Sequence, residues 1–165
     1  MTSRPCTVAE LGSLPLSATW TTSAPNDDLW SGRLVIVVDA PVLANALADD
    51  EEDGDIARRE LRAADEVIAP DLVDVETVSV LRRRCLHHTL TAQRFAAAIA
   101  HLQQLQFERV PTLRLMRRAF ELRANVSAYD ACYVALAERA SCELVTMDER
   151  LSAAAGTRCP IRVLR

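Results

Sequence analysis

Two hydrophobic patterns alternate along the chain from Leu34 onward. Short continuous runs of β-branched residues, bounded by turn signals, mark strands buried on both faces. Leu34-Val35-Ile36-Val37-Val38 is the strongest, followed by Val67-Ile68-Ala69, Phe107 to Val110, Glu143 to Thr146 and Ile161 to Leu164. Between these runs, apolar residues recur every three or four positions, the period of a helix with one buried face. Predicted helices cover Val42 to Ala48, with Pro41 in the first turn, and Asp55 to Ala64, after an acidic loop over 49–53 that ends at Gly54. A longer helix spans Asp71 to His87 on Leu72, Val75, Val78 and Leu81. Thr91 caps another that reaches about Leu105. Leu113, Met116, Phe120 and Ala124 mark the next, Ser127 caps Ala128 to Ala140, and Asp148 to Ala155 is the last. Strands alternating with helices or helix pairs predict an α/β chain, with a mostly parallel central sheet of about five short strands flanked by helices.

Residues 1–32 break this alternation. They hold both tryptophans, five Thr, five Ser and three Pro without sustained periodicity, and read as an irregular extension before a domain over 33–165. No apolar run approaches the roughly 18–20 residues of a membrane helix, and no basic head precedes an apolar stretch as in a secretory signal. The five cysteines form no CxxC pair and no zinc spacing, as expected of reduced thiols in the cytoplasm.

A net charge of −4 argues against a generic nucleic-acid binder, but the distribution is uneven. Residues 46–66 hold nine acids against three arginines, and residues 80–125 hold nine arginines against two glutamates. All basic residues are Arg, which grips phosphate in a bidentate fork, although solvated helix faces would also account for the clustering.

Four carboxylates stand at the edges of apolar elements. Asp39 ends the first strand, Glu76 lies among Leu72, Val73, Val75 and Val78, Asp130 opens the stretch from Ala131 to Ala137, and Asp148 closely follows Leu144 to Met147. Each has a local explanation: Asp39 as a helix cap, Asp130 bonding back to the Ser127 amide in a capping box, Asp148 at a helix start, Glu76 in the favourable dipole of a helix N-terminus. Their joint placement says more. Asp39 and Asp148 sit at C-terminal ends of predicted parallel strands, the edge where ligands bind in open sheets, and Glu76 and Asp130 begin helices that can face it. Converging like charges need a cation or a proton between them, and an all-oxygen donor set suits Mg²⁺ or Mn²⁺ better than zinc. His87, His88 and His101 read as surface or structural residues rather than ligands.

These residues also resemble a family. Val37-Val38-Asp39-Ala40-Pro41-Val42-Leu43 is similar to the first acidic motif of PIN-domain ribonucleases, and Pro70-Asp71-Leu72-Val73-Asp74-Val75-Glu76 resembles their P-x-L-x-x-x-E segment. The string from Ser127 to Ala137 is very similar to the third and most specific motif, and Leu144 to Leu151 matches the fourth. Size, order and spacing over about residues 34–165 look like the VapC toxins of bacterial toxin–antitoxin pairs. The resemblance implies a PIN-like three-layer sandwich and a Mg²⁺- or Mn²⁺-dependent endoribonuclease. Its catalytic and metal-binding acids are Asp39, Glu76, Asp130 and Asp148, with the Thr146 hydroxyl in support. It also implies an RNA substrate, a cognate VapB-type antitoxin and a homodimer through helical faces between residues 71 and 124. One departure stands out. The family often has Ser, Thr or Asn where this chain has Pro41, which lacks both a hydroxyl and an N–H, so Thr146 or Asn45 would have to supply a lost hydrogen bond. A catalytically impaired PIN module that binds RNA or a protein partner is the alternative. A phosphatase-like hydrolase is disfavoured, because it needs a second acid close behind Asp39.

Overall fold

The computed structural model describes residues 32–165; the extension expected over 1–32 lies, apart from Gly32, outside the described residues. Within these residues five strands form one sheet: β1 (Val35–Val38), β2 (Glu66–Pro70), β3 (Glu108–Val110), β4 (Glu143–Thr146) and β5 (Ile161–Val163). Their order is β3-β2-β1-β4-β5, and every pairing is parallel. Among the described residues, seven helices connect them: α1 (Ala40–Ala48), α2 (Glu52–Ala63), α3 (Val73–Leu86), α4 (Ala92–Gln104), α5 (Met116–Leu122), α6 (Ala128–Ala140) and α7 (Glu149–Ser152).

The connections β1-α1-α2-β2-α3-α4-β3 step outward in one direction. The chain then returns through α5 and α6 to β4, on the other side of β1, and passes through α7 to β5. Right-handed crossovers place the outward helices on one face and the returning ones on the other, giving the three-layer sandwich. β1 is central and buried along its whole length, as its unbroken aliphatic run requires. Helix α6 is buried from Ala131 to Ala137 and packs on β1, β2 and β4. A helix apolar on all sides belongs in an interior, and its alanines let it approach the sheet closely. Each fully buried Val or Leu here contributes about 1.5–3 kcal/mol. A satellite core of Ala44, Leu47, Leu81, Leu90, Ala98 and Leu102 joins α1, α3 and α4.

Several boundaries differ from the sequence expectation for identifiable reasons. Helix α2 begins at Glu52, so part of the expected acidic loop is its first turn, where Glu52, Asp53 and Asp55 favour the positive end of the helix dipole. Gly54 lies inside that turn and is buried. A Cβ there would stand 2.0 Å from the Asp49 carbonyl oxygen. The helix expected from Leu113 opens instead as a 3₁₀ turn over Thr112–Leu115, whose first N–H is taken by Asp71 at 3.0 Å. Helix α7 is only one turn long. The carbonyls of Ala155 and Gly156, just beyond it, accept from Asn125 (3.1 Å) and Arg118 (2.7 Å), and Gly156 turns with φ 88°.

Candidate active site

The strand order reverses direction at β1. Connections lead away from it on the β2 side and return to it on the β4 side, so the crevice at the C-terminal ends of β1 and β4 is the topological switch point. The register pairs Val38 with Val145, which brings Asp39 and Thr146, the next residues, side by side. Asp39 is 6% exposed. One carboxylate oxygen accepts from the Val42 N–H at 3.0 Å and caps α1. The other accepts from the Thr146 hydroxyl, which itself accepts from the Asp148 N–H at 2.9 Å. Burial pushes the Asp39 carboxyl up to about 6; the Thr146 and Val42 bonds work against that rise, and the negative charge of Asp130 adds to it.

Two more of the expected acids face this crevice. Glu76, in the first turn of α3, accepts from the Tyr133 hydroxyl at 2.6 Å. Desolvation raises its carboxyl above the ordinary range, Tyr133 pulls it back, and Asp130 raises it. Tyr133 is 2% exposed, and its phenol is pushed far up by burial and by donating to Glu76, so it stays a donor. Asp130 lies in the first turn of α6. Ser127 accepts from the Asp130 N–H at 3.1 Å and donates its hydroxyl to the Asp130 carboxylate at 2.6 Å. The expected bond from Asp130 back to the Ser127 amide is thus replaced by one to the Ser127 hydroxyl. Asp is one methylene shorter than the Glu of a full capping box.

Asp148 behaves differently. It caps α7 and is held by Arg150, whose Nε and Nη2 lie 3.2 Å from its two oxygens. That pairing sets its carboxyl below the usual range.

The donor chemistry suits a hard divalent cation. Burial does most to raise the carboxyls of Asp39 and Glu76, the charge of Asp130 adds to both, all donors are oxygen, and among the described residues no cation pairs with these three acids. Among the described residues, no three acids, histidines or cysteines come close enough to enclose an ion by themselves. Mg²⁺ does not require that: it keeps several waters and is held by one or two carboxylates together with substrate phosphate.

The departure at Pro41 has a structural answer. The N–H that caps Asp39 belongs to Val42, so the proline costs the site no backbone donor. Asn45, the other candidate for compensation, is buried and instead accepts from Arg84. His87, His88 and His101 are exposed, and the described cysteines are free thiols. The arginines of 80–125 divide. Arg109 forks onto Asp74, Arg118 onto Glu138, and Arg94 pairs with Asp50, whereas Arg82, Arg83 and Arg114 are exposed, as is Arg117, which lies 3.9 Å from Glu121. Tyr133 and Arg150 are the side chains to which sequence reasoning gave no role; Ser127 was read as a helix cap, and its hydroxyl also donates to the Asp130 carboxylate. Tyr133 was readable three residues after Asp130 on one helix, but it looked like another apolar position in an alanine-rich run.

The PIN domain family model matches residues 36–157. Ribonuclease VapC9 of Mycobacterium tuberculosis is 43% identical over 130 residues, covering 79% of this chain and 98% of that protein. Ribonuclease VapC1 of the same organism is 38% identical over 130 residues, covering 78% and 97%. Among solved structures, M. tuberculosis VapC20, a sarcin-ricin loop cleaving toxin, aligns with a TM-score of 0.57 at 24% identity, over 74% of this chain and 96% of that one. The chain belongs to the PIN-domain family, among its VapC ribonucleases.

Proposed function

We propose that residues 33–165 form a Mg²⁺- or Mn²⁺-dependent endoribonuclease, the toxin of a toxin–antitoxin pair, with its site at the C-terminal ends of β1 and β4. The observation that carries this reading is the buried Asp39 carboxylate at the switch point, fixed by Thr146 and Val42 and coupled to Asp130. Asp39, Glu76 and Asp130 would hold the cation, with Asp148 completing the set. When bound, the cation supplies Lewis-acid stabilisation of the phosphodiester's developing charge and a more acidic water. Thr146 keeps the Asp39 carboxylate oriented, Tyr133 does the same for Glu76, and Ser127 for Asp130. Without a counter-charge the acidic crevice repels RNA, and the exposed guanidinium groups of Arg82, Arg83, Arg114 and Arg117 are suited to neutralise backbone phosphates.

The partners follow the same reading. A VapB-type antitoxin would restrain the nuclease in the cytoplasm, where its RNA is; no helix of the described residues is long and apolar enough to cross a membrane. A homodimer is supported by exposed apolar side chains on α3, the 3₁₀ turn and α5: Val75 (74% exposed), Leu113 (82%) and Phe120 (65%). Light scattering of the purified chain tests the dimer, with Phe120→Asp expected to yield monomer. Mapping RNA 5′ ends in cells after induction tests the toxin reading. New ends with the wild-type chain and none with Asp39→Asn support it; the same ends with both contradict it. Cleavage of single-stranded DNA as fast as RNA would redirect the reading to a deoxyribonuclease.

A further inference from the structure

Among the described residues, Arg150 is the one cation bonded directly to an acid of the candidate site. Its guanidinium grips both oxygens of Asp148, yet the Arg150 side chain is 91% exposed while that of Asp148 is 36% exposed. Asp130 adds to the negative field around it. An exposed pair of this kind is weak, worth at most about fivefold in an equilibrium, and is easily exchanged for another. The incoming ligand of a ribonuclease offers the preferred replacement, because a phosphodiester accepts the same fork of N–H donors that now binds the carboxylate.

We propose that Arg150 is a phosphate-binding residue that guards Asp148: it occupies the carboxylate in the free protein and transfers to an RNA backbone phosphate when substrate arrives, releasing Asp148 toward the cation. The exchange conserves charge pairing. Asp148 loses a guanidinium as cation and substrate enter together, and Arg150 stays paired throughout. The inference rests on the ribonuclease reading, since it assigns the displacing ligand as an RNA phosphate.

Calorimetric titration of Mn²⁺ into the whole chain without RNA tests the guard. Arg150→Ala should bind Mn²⁺ about three- to fivefold more tightly than wild type, and the gain should vanish when Asp148→Asn is the background. Steady-state cleavage of a short single-stranded RNA tests the transfer. Arg150→Ala should raise KM about tenfold with kcat within about threefold, and Arg150→Lys should recover part of that loss. The fall of kcat/KM with salt, on logarithmic axes, should be shallower by about 0.7 for Arg150→Ala, as for one lost phosphate contact on a single strand. A structural role for so exposed a side chain would leave that slope unmoved. Unchanged Mn²⁺ affinity, or an unchanged salt slope, overturns the proposal. If the wild-type chain cuts no RNA, the ribonuclease reading fails, and the Mn²⁺ titration still decides whether Arg150 restrains Asp148.

Discussion

Thr146, at the end of β4, donates its hydroxyl to the buried carboxylate of Asp39, at the end of β1, and accepts the N–H of Asp148 with the same oxygen. One fully buried side chain thus joins two acids of the candidate site across the switch point. Thr146→Val keeps the shape and removes both bonds. It should lower divalent-cation affinity and cleavage rate about 10- to 100-fold, the usual consequence of losing a partner that orients a metal ligand, while Thr146→Ser keeps most of both. Calorimetry with Mn²⁺ beside cleavage rates reads the two effects.

Asp39 predicts a trade of stability for function. The folded carboxyl holds its proton up to about pH 6, against an ordinary value of 3.8. Between those pH values the folded state binds more protons than the unfolded one, so in EDTA this group's contribution falls as pH rises from about 4 through 6, by about 2–3 kcal/mol. Asp39→Asn removes that slope and should be more stable than wild type at pH 7 by about 1–3 kcal/mol, although inactive. Urea unfolding of both proteins at pH 4.5 and 7 checks it; equal slopes with pH contradict it.

Tyr133 and Glu76 predict a shift in the pH profile. The tyrosine hydroxyl holds the Glu76 carboxyl down against desolvation. Tyr133→Phe removes that donor, so Glu76 stays protonated to higher pH. The acidic limb of kcat/KM should move upward in pH, with a stability loss of about 1–2 kcal/mol from the unmade buried hydrogen bond.

Gly54 separates fold from site. Any Cβ there collides with the Asp49 carbonyl, which also accepts from Arg58 at 2.6 Å. Gly54→Ala should destabilise by about 1–3 kcal/mol, as overpacking does, without changing the activity of the folded fraction. Thermal melts beside cleavage rates read the difference.

The fold was legible where local pattern and burial agree. The limits of β4 and α6 coincide with those read from Glu143 to Thr146 and from Ser127 to Ala140, because each is a continuous apolar run with its own cap or turn. The start of α2 was missed because an acidic run looks like a solvated loop until the helix dipole is weighed, and the expected α7 ran too long because the carbonyls of Ala155 and Gly156, beyond it, are taken by Asn125 and Arg118, distant in sequence. The four acids were visible as charges at apolar edges, and the register of β1 with β4 explains why Asp39 finds Thr146. Their unequal states were not visible. The burial that raises the Asp39 carboxyl to about 6 depends on how distant elements close over it, whereas Asp148 rests on Arg150, a partner two residues away whose contact the helical pattern did not suggest.

The most direct test of the metal-dependent ribonuclease site is cleavage of a defined single-stranded RNA by the purified chain in Mg²⁺ and in EDTA, for wild type, Asp39→Asn and Asp130→Asn. Cleavage by wild type in Mg²⁺ that disappears in EDTA and in both variants is the predicted result. Equal cleavage in EDTA, or undiminished cleavage by either variant, would contradict it.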